Sequence, residues 1–363
     1  MQNSMLPVEI LDRIVQFSYQ QELLVLSRTS RQLQPLAETR IYEAVLLRDN
    51  NAAFRACQAL AARDFVRCSY VKRFYFWQDQ RFCQRGPMPE PFWRLIQTVL
   101  TKTVNLENLY MYDDSFSNTW IFQAQLPFQL TEAWLNFRWD DKLVTFLERQ
   151  DRLKVLYLTS GPYDEEVSHR APQSGSLPAL ETVEAPMHVT FDLLACSTLR
   201  LSFMIDDDNA LLFSNFLEAM ASTNKTLRSL HVIAVPEFLA TDTLRILGSS
   251  TLATTLRHLG VLSLPLGEHD TQRHQLHRSL LSFSRLETLQ VDVAHWQNGA
   301  MMPHAHRLLA TELRTYCPTL VRIVFWQGVS ETVWRFDEDN GQWKGQQVPG
   351  PRYAQREHLW RDV

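Results

Sequence analysis

A chain of 363 residues with 45% hydrophobic and 21% charged side chains carries enough apolar material for a large core, which excludes wholesale disorder. Its 36 basic against 40 acidic residues give a formal charge of −4, so no electrostatic argument favours nucleic acid as a partner. No run approaches ~18 consecutive apolar residues, and Met1-Gln2-Asn3-Ser4 opens no basic-then-apolar leader; no membrane partner is expected, and an intracellular setting, cytoplasm or nucleus, is.

Residues 5–47 read as three short helices. Pro7 suits a helix start, Glu9 and Asp12 complement the positive end of its dipole, and Ile10, Ile14 and Phe17 recur at helical spacing. Leu23-Leu24-Val25-Leu26 marks a second helix, and Pro35 opens a third carrying Leu36, Ile41 and Tyr42. Three helices this short bury little by themselves, so their surplus apolar surface must dock on the rest of the chain or on another protein.

Leu6-Pro7-Val8-Glu9-Ile10-Leu11, followed by Ile14, Phe17, Leu23-Leu24, Leu26-Ser27-Arg28 and Leu36-Ala37, resembles an F-box of the kind found in large fungal families. Leu33 stands where many F-boxes carry tryptophan. The resemblance implies docking on a Skp-type adaptor, and through it a cullin, by Leu6, Pro7, Ile10, Leu11, Leu23 and Leu24.

Residues 48–69 read as a connecting helix, centred on Ala52 to Val66. From residue 70 to 328 an apolar triplet recurs, clearest in Leu227-Arg-Ser-Leu230-His-Val232, Leu256-Arg-His-Leu259-Gly-Val261, Leu286-Glu-Thr-Leu289-Gln-Val291 and Leu320-Val-Arg-Ile323-Val-Phe325. These copies start 29, 30 and 34 residues apart. Alternation inside each predicts a short strand, and stretches such as Phe92 to Leu100 and Leu211 to Met220 predict helices between strands. One strand and one helix per unit resembles the leucine-rich repeats that commonly follow an F-box. The fold expectation is therefore α/β: a three-helix F-box, then an irregular leucine-rich-repeat solenoid with a curved parallel sheet and outer helices. Gly161–Pro178 reads as a long loop. At 329–347, Asn340-Gly341 between alternating runs predicts a capping hairpin with Trp334 and Trp343, and 348–363 reads as a loose tail.

Outward positions of such strands hold Tyr75, Trp77, Tyr110, Tyr112, Trp134 and Tyr157, then Arg322 and Trp326, which together form the predicted target-binding face. Asn136, Arg200, His231, His258, Gln290 and Asp292 accompany them. Aromatics with polar handles suit protein recognition, and they equally suit packing across neighbouring strands. Asp113-Asp114, Asp140-Asp141 and Asp206-Asp207-Asp208 either line a rim for a basic partner or cap helices.

The five cysteines are scattered without a Cys-x-x-Cys pair, which predicts reduced, buried thiols. His269, His274, His277, His304 and His306 lack metal-site spacing and read as solvated. No nucleophile elbow, phosphate loop or dinucleotide fingerprint occurs, so no cofactor and no catalysis are expected. His231 and His258 are the one pair worth inspecting as a catalytic centre. The resemblance implies a substrate-recognition subunit of an SCF-type ubiquitin ligase, which presents an unknown target protein for ubiquitination and proteasomal degradation; the alternative is a repeat scaffold outside any ligase.

Overall fold

The computed structural model describes residues 6–159, 170–205, 209–264, 270–294, 303–328, 330–348 and 359–362. The chain divides into two compact units, 1–179 and 180–363.

Unit 1 opens with α1 (Val8–Phe17), α2 (Gln20–Thr29) and α3 (Leu33–Glu43). Pro7 stands just before α1, where its missing N–H costs nothing, and the Glu22 carboxylate accepts the Tyr19 N–H at 2.7 Å to start α2. Val15, Leu23 and Ala37 form a small core with Leu26, Leu33, Leu36 and Ile41 packed against it. Then follow β1 (Ala44–Leu47), α4 (Asn50–Ala61), β2 (Arg73–Phe76), α5 (Glu90–Leu100), β3 (Asn108–Tyr112), β4 (Glu132–Asn136), α6 (Asp141–Leu147) and β5 (Val155–Thr159). Strands β1 to β5 pair in chain order, all parallel. One face of this sheet packs on an aromatic layer. Phe76 meets Phe92 at 5.0 Å, Trp93 meets Phe137 at 5.8 Å, and Phe122 stacks on Phe146 at 4.6 Å.

Unit 2 contains β6 (Thr182–Glu184), α7 (Met187–Asp192), β7 (Arg200–Met204), α8 (Phe213–Thr223), β8 (Ser229–Val235), α9 (Glu237–Gly248), β9 (His258–Ser263), α10 (Asp270–Leu280), β10 (Thr288–Asp292), α11 (Pro303–Tyr316), β11 (Arg322–Gln327), β12 (Ser330–Asp337) and β13 (Gln342–Val348). β6 to β11 pair in parallel, and β12 and β13 add antiparallel. Gly341, at φ +62°, lies in the turn after Asp337, whose carboxylate accepts the Asn340 side-chain amide at 2.6 Å. Trp334 and Trp343 are both buried: Gly345 lets the Trp334 ring lie directly on its backbone, and Trp343 meets Phe336 at 5.3 Å.

These arrangements correct the expected fold. The strands make a mixed sheet with flanking helices, not a three-helix F-box followed by a curved leucine-rich-repeat solenoid. The physical reasons are two. Connections between parallel strands have no common form: α5 has 11 residues, a five-residue 3-10 turn (Thr119–Gln123) follows β3, and α6 has seven. The three first helices are also continuous with the sheet. α3 runs directly into β1, and the Lys72 N–H donates to the Glu43 carbonyl at 3.0 Å, so this segment is the edge of unit 1's own sheet. Of the loop predicted at 161–178 and the tail predicted at 348–363, residues 161–169 and 349–358 lie outside the described ones.

A buried charge pair ties α3 to the turn before β2. Arg67 donates to Glu38 at 2.9 Å with both side chains mostly buried, and Arg63 approaches the same oxygen at 3.3 Å. Burial alone would raise the Glu38 pKa, yet the Arg67 and Gln34 hydrogen bonds outweigh it and hold the carboxyl below its ordinary value. Arg67→Ala leaves that carboxylate without its main partner and is expected to cost about 2 kcal/mol. Urea unfolding followed by circular dichroism checks this; an unchanged midpoint would show that Arg63 suffices.

Candidate functional site

Alternation decides which strand residues leave the core. Phe74 and Phe76 of β2, Leu109 and Met111 of β3, and Ala133 and Leu135 of β4 are buried on the helix side. Their neighbours point to the other face. Strand register then places Leu46, Tyr75, Tyr110, Trp134 and Tyr157 in one row across β1 to β5. With strands about 4.8 Å apart, the row runs about 19 Å.

The row is a continuous stack. Tyr75 and Tyr110 centroids lie 6.3 Å apart, Tyr110 and Trp134 stack at 5.6 Å, and Trp134 and Tyr157 approach to 3.8 Å. Leu46 is 50% exposed, Tyr75, Tyr110 and Trp134 are half-buried, and Tyr157 is 6% exposed. Trp134 Nε1 donates to Glu132 at 2.6 Å, and the Asn108 amide holds the other Glu132 oxygen at 2.9 Å, which fixes the indole plane. Desolvation, with the nearby Glu132 charge adding to it and Arg73 opposing, pushes the Tyr75 phenol up from its ordinary pKa.

Trp77 and Tyr112 extend the face at one end. Trp77 meets Tyr110 edge-on at 5.5 Å. The Arg48 guanidinium lies over Trp77 at 5.4 Å and that of Arg85 over Tyr112 at 5.6 Å. Both arginines are exposed and place positive charge along one side of the row, at the C-terminal ends of β1 to β3. Leu46, Arg48 and Arg85 are absent from the sequence-based site. The Val45-Leu46-Leu47 alternation was a usable signal for the first; nothing local signals the two arginines.

The first member of each of two acidic pairs is engaged within the chain, whereas Asp114 and Asp141 are exposed. Asp113 is buried and accepts the Ser115 N–H, the Ser115 hydroxyl and the Asn118 N–H and amide, all at 2.7–3.0 Å. Asp140 caps α6 by accepting the Lys142 and Leu143 N–H groups, and it also takes the Thr119 hydroxyl at 2.6 Å. Asp206 to Asp208 lie outside the described residues, as does His269.

The residues assigned to an adaptor contact scatter by environment. Leu11 and Leu23 are buried within unit 1, whereas Leu6, Ile10 and Leu24 are 54%, 45% and 48% exposed and Pro7 is exposed.

Arg322 and Trp326 belong to unit 2 and to a different constellation. Trp326 Nε1 donates to the Gln290 carbonyl oxygen at 2.9 Å, and the Gln290 amide lies 3.4 Å from His258 Nε2. His258 is fully buried and its ring centroid stands 5.9 Å from that of His231. Burial pushes His231 down to about 4 and His258 well below its ordinary value. Both therefore stay neutral at pH 7, and the Trp360 ring lies parallel to that of the half-buried His231 at 6.1 Å. Of the histidines further on, His274 and His304 are exposed as expected, whereas His277 stacks on Tyr316 at 3.8 Å and His306 on Phe325 at 4.6 Å.

All five cysteines are free, and Cys57, Cys68, Cys196 and Cys317 are buried. Desolvation pushes the Cys57 thiol up to about 12 and those of Cys68 and Cys196 up to about 11, which makes them poor nucleophiles. Among the described residues no three His, Cys, Asp or Glu side chains gather as metal ligands, and no helix is long and apolar enough to cross a membrane.

No model of a known protein family matches the chain, and no curated protein matches it. With the mixed sheet, that finding overturns the F-box and leucine-rich-repeat resemblance. The Skp-type adaptor, the cullin and the SCF ubiquitin-ligase role rested on that resemblance alone and fall with it.

Proposed function

We propose that the chain is a polypeptide-binding module that performs no chemistry itself, and that the aromatic row of unit 1 is its contact surface. The observation that carries this reading is the register row Leu46, Tyr75, Tyr110, Trp134 and Tyr157 on the face away from the helices. Parallel sheets ordinarily cover both faces, and large half-exposed aromatics with a polar edge are what protein interfaces concentrate at their centres. The indole of Trp134, locked by Glu132, is the natural anchor. Arg48 and Arg85 along one side of the row favour a segment with apolar anchors and an acidic residue beside them. The non-catalytic part of the reading is supported by the full burial of His258 and by the raised thiols.

Selection from a random-peptide display library on the full chain tests it. Peptides so selected are expected to share an apolar consensus and to bind a Trp134→Ala chain about thirtyfold more weakly, the loss typical of a central aromatic anchor. Trp134 is half-buried, so the variant should keep its melting transition. No consensus, or equal binding to the folded variant, would sink the proposal and leave the row as packing within the sheet.

A further inference from the structure

Trp360 is 2% exposed, in a stretch that the sequence alone suggests is loose. Three consecutive side chains reach three strands of unit 2. The Trp360 ring lies within 5° of parallel to His231 of β8, and the Arg361 guanidinium stands 3.5 Å from Glu184 of β6. Asp362 acts electrostatically on Arg322 of β11.

The seat exists because of the side chains beneath it. Phe203 packs on Phe213 and Phe216 of the helix layer, so Ser202 points to the opposite face. Register continues Glu184, Ser202, His231 and Gly260 across β6 to β9. In unit 1 the comparable row is Tyr75, Tyr110, Trp134 and Tyr157, large at every step. In unit 2 serine and glycine leave room for a large ring to settle. Gly260 is required here: a Cβ on it would stand 2.8 Å from the Gln290 side chain, which holds Trp326 and approaches His258.

The seat is also incompletely satisfied. Ser202 Oγ, Ser229 Oγ, His231 Nδ1 and His258 Nδ1 have no hydrogen-bond partner among the described residues, and Ser202, Ser229 and His258 are at most 1% exposed. Buried polar atoms left this way are costly, so a segment that supplied partners would displace one that does not.

We propose that this face of unit 2 is a second polypeptide-binding site, occupied in cis by Leu359–Asp362, and that it takes in trans a segment with an aromatic residue followed by a basic and then an acidic one. The cis segment holds the site closed by its high effective concentration. At about millimolar effective concentration, a cis segment of about 0.1 mM intrinsic affinity suppresses a competitor about tenfold.

The probe is a fluorescein-labelled peptide of residues 353–363, titrated by anisotropy into the full chain and into its Trp360→Ala variant. The variant is expected to bind about tenfold tighter than the parent chain. A peptide with alanine in place of its tryptophan should lose binding. Glu184→Arg in the Trp360→Ala background should weaken the native peptide, and a peptide with Arg361→Glu should regain it. If Trp360→Ala loses its melting transition, Arg361→Glu in the full chain replaces it, with the same expectation. A folded variant that binds the peptide no better than the parent, or a peptide indifferent to its tryptophan, would overturn the site and make the segment a structural clasp. The unit 1 row is unaffected by either result.

Discussion

Trp93→Ala is expected to destabilise unit 1 by about 3–5 kcal/mol, the usual cost of removing a large aromatic from a packed interior. Trp93 is 1% exposed on α5, and its ring meets Phe76 at 6.0 Å, Phe92 at 5.4 Å and Phe137 at 5.8 Å. Those partners come from the preceding strand, the same helix and the segment after β4. The cavity would thus open between sheet and helix layer, where neither side collapses easily. For a unit of this size the melting temperature should fall by about 10 °C. Trp93→Phe is the informative control. Trp93 Nε1 has no hydrogen-bond partner among the described residues, so phenylalanine forfeits volume without forfeiting a bond. It is expected to cost about 1–2 kcal/mol. Equal losses for alanine and phenylalanine in calorimetry would mean that the indole edge, not ring volume, does the holding.

Unit 2 should lose stability on acidification through its histidine pair. The folded His231 value, about 4, lies below the ordinary 6.5, chiefly because burial disfavours the charged ring and secondarily because Arg361 repels it. His258 is lowered by burial, by His231 and by Arg322. Glu184 on β6, Arg200 on β7, Arg335 on β12 and Asp362 complete the charged groups around this face. A depressed imidazole takes its proton more readily in the unfolded chain. The contribution is therefore whole above pH ~6.5 and drains away as pH falls toward the folded value. Each unit of lowered pKa is worth about 1.4 kcal/mol, so the loss reaches on the order of 2 kcal/mol by pH ~5, before most carboxylates titrate. Urea midpoints of the parent and of His231→Gln, measured between pH ~7 and ~5, should diverge, with the variant showing the shallower slope. Parallel slopes would refute a buried neutral His231. Acidification should also loosen the Trp360 seat, because a protonated His231 faces Arg361 directly.

Much of the strand layer was legible from residues. Leu227-Leu230-Val232, Leu256-Leu259, Leu286-Leu289-Val291 and Leu320-Ile323-Phe325 are buried at the strands that alternation predicts, Val261 of the second copy is only half-buried, and Asn340-Gly341 stands in a hairpin turn. Helix starts were legible where chemistry is local. Pro7, Pro89, Pro186 and Pro236 each precede a helix, and Asp49 and Asp140 accept the first N–H groups of theirs. The outward aromatics of unit 1 were readable for the same reason, since period-two alternation is a property of the backbone.

Leu-Pro-x-Glu-Ile-Leu shows where such reading fails. A proline ahead of a helix, an acid in its first turn and an apolar stripe are what many amphipathic helices need, so the pattern reports a helix start and not a family. Whether α3 ends a domain or flows into β1 depends on the pairing of Ala44–Leu47 with Arg73–Phe76, nearly thirty residues on. Likewise no local pattern says that β12 turns back antiparallel on β11, or that Trp360 finds His231, about 130 residues away in sequence.

The sequence by itself determined where strands and helices lie, which side of each strand is apolar, and that Tyr75, Tyr110, Trp134 and Tyr157 share an outward face, because these follow from backbone periodicity and local capping. Tertiary structure alone decided the mixed sheet, the full burial of His258 and the seating of Trp360 on His231. Those outcomes rest on long-range pairing and on the volume left by distant side chains such as Ser202 and Gly260, which no short window of residues contains.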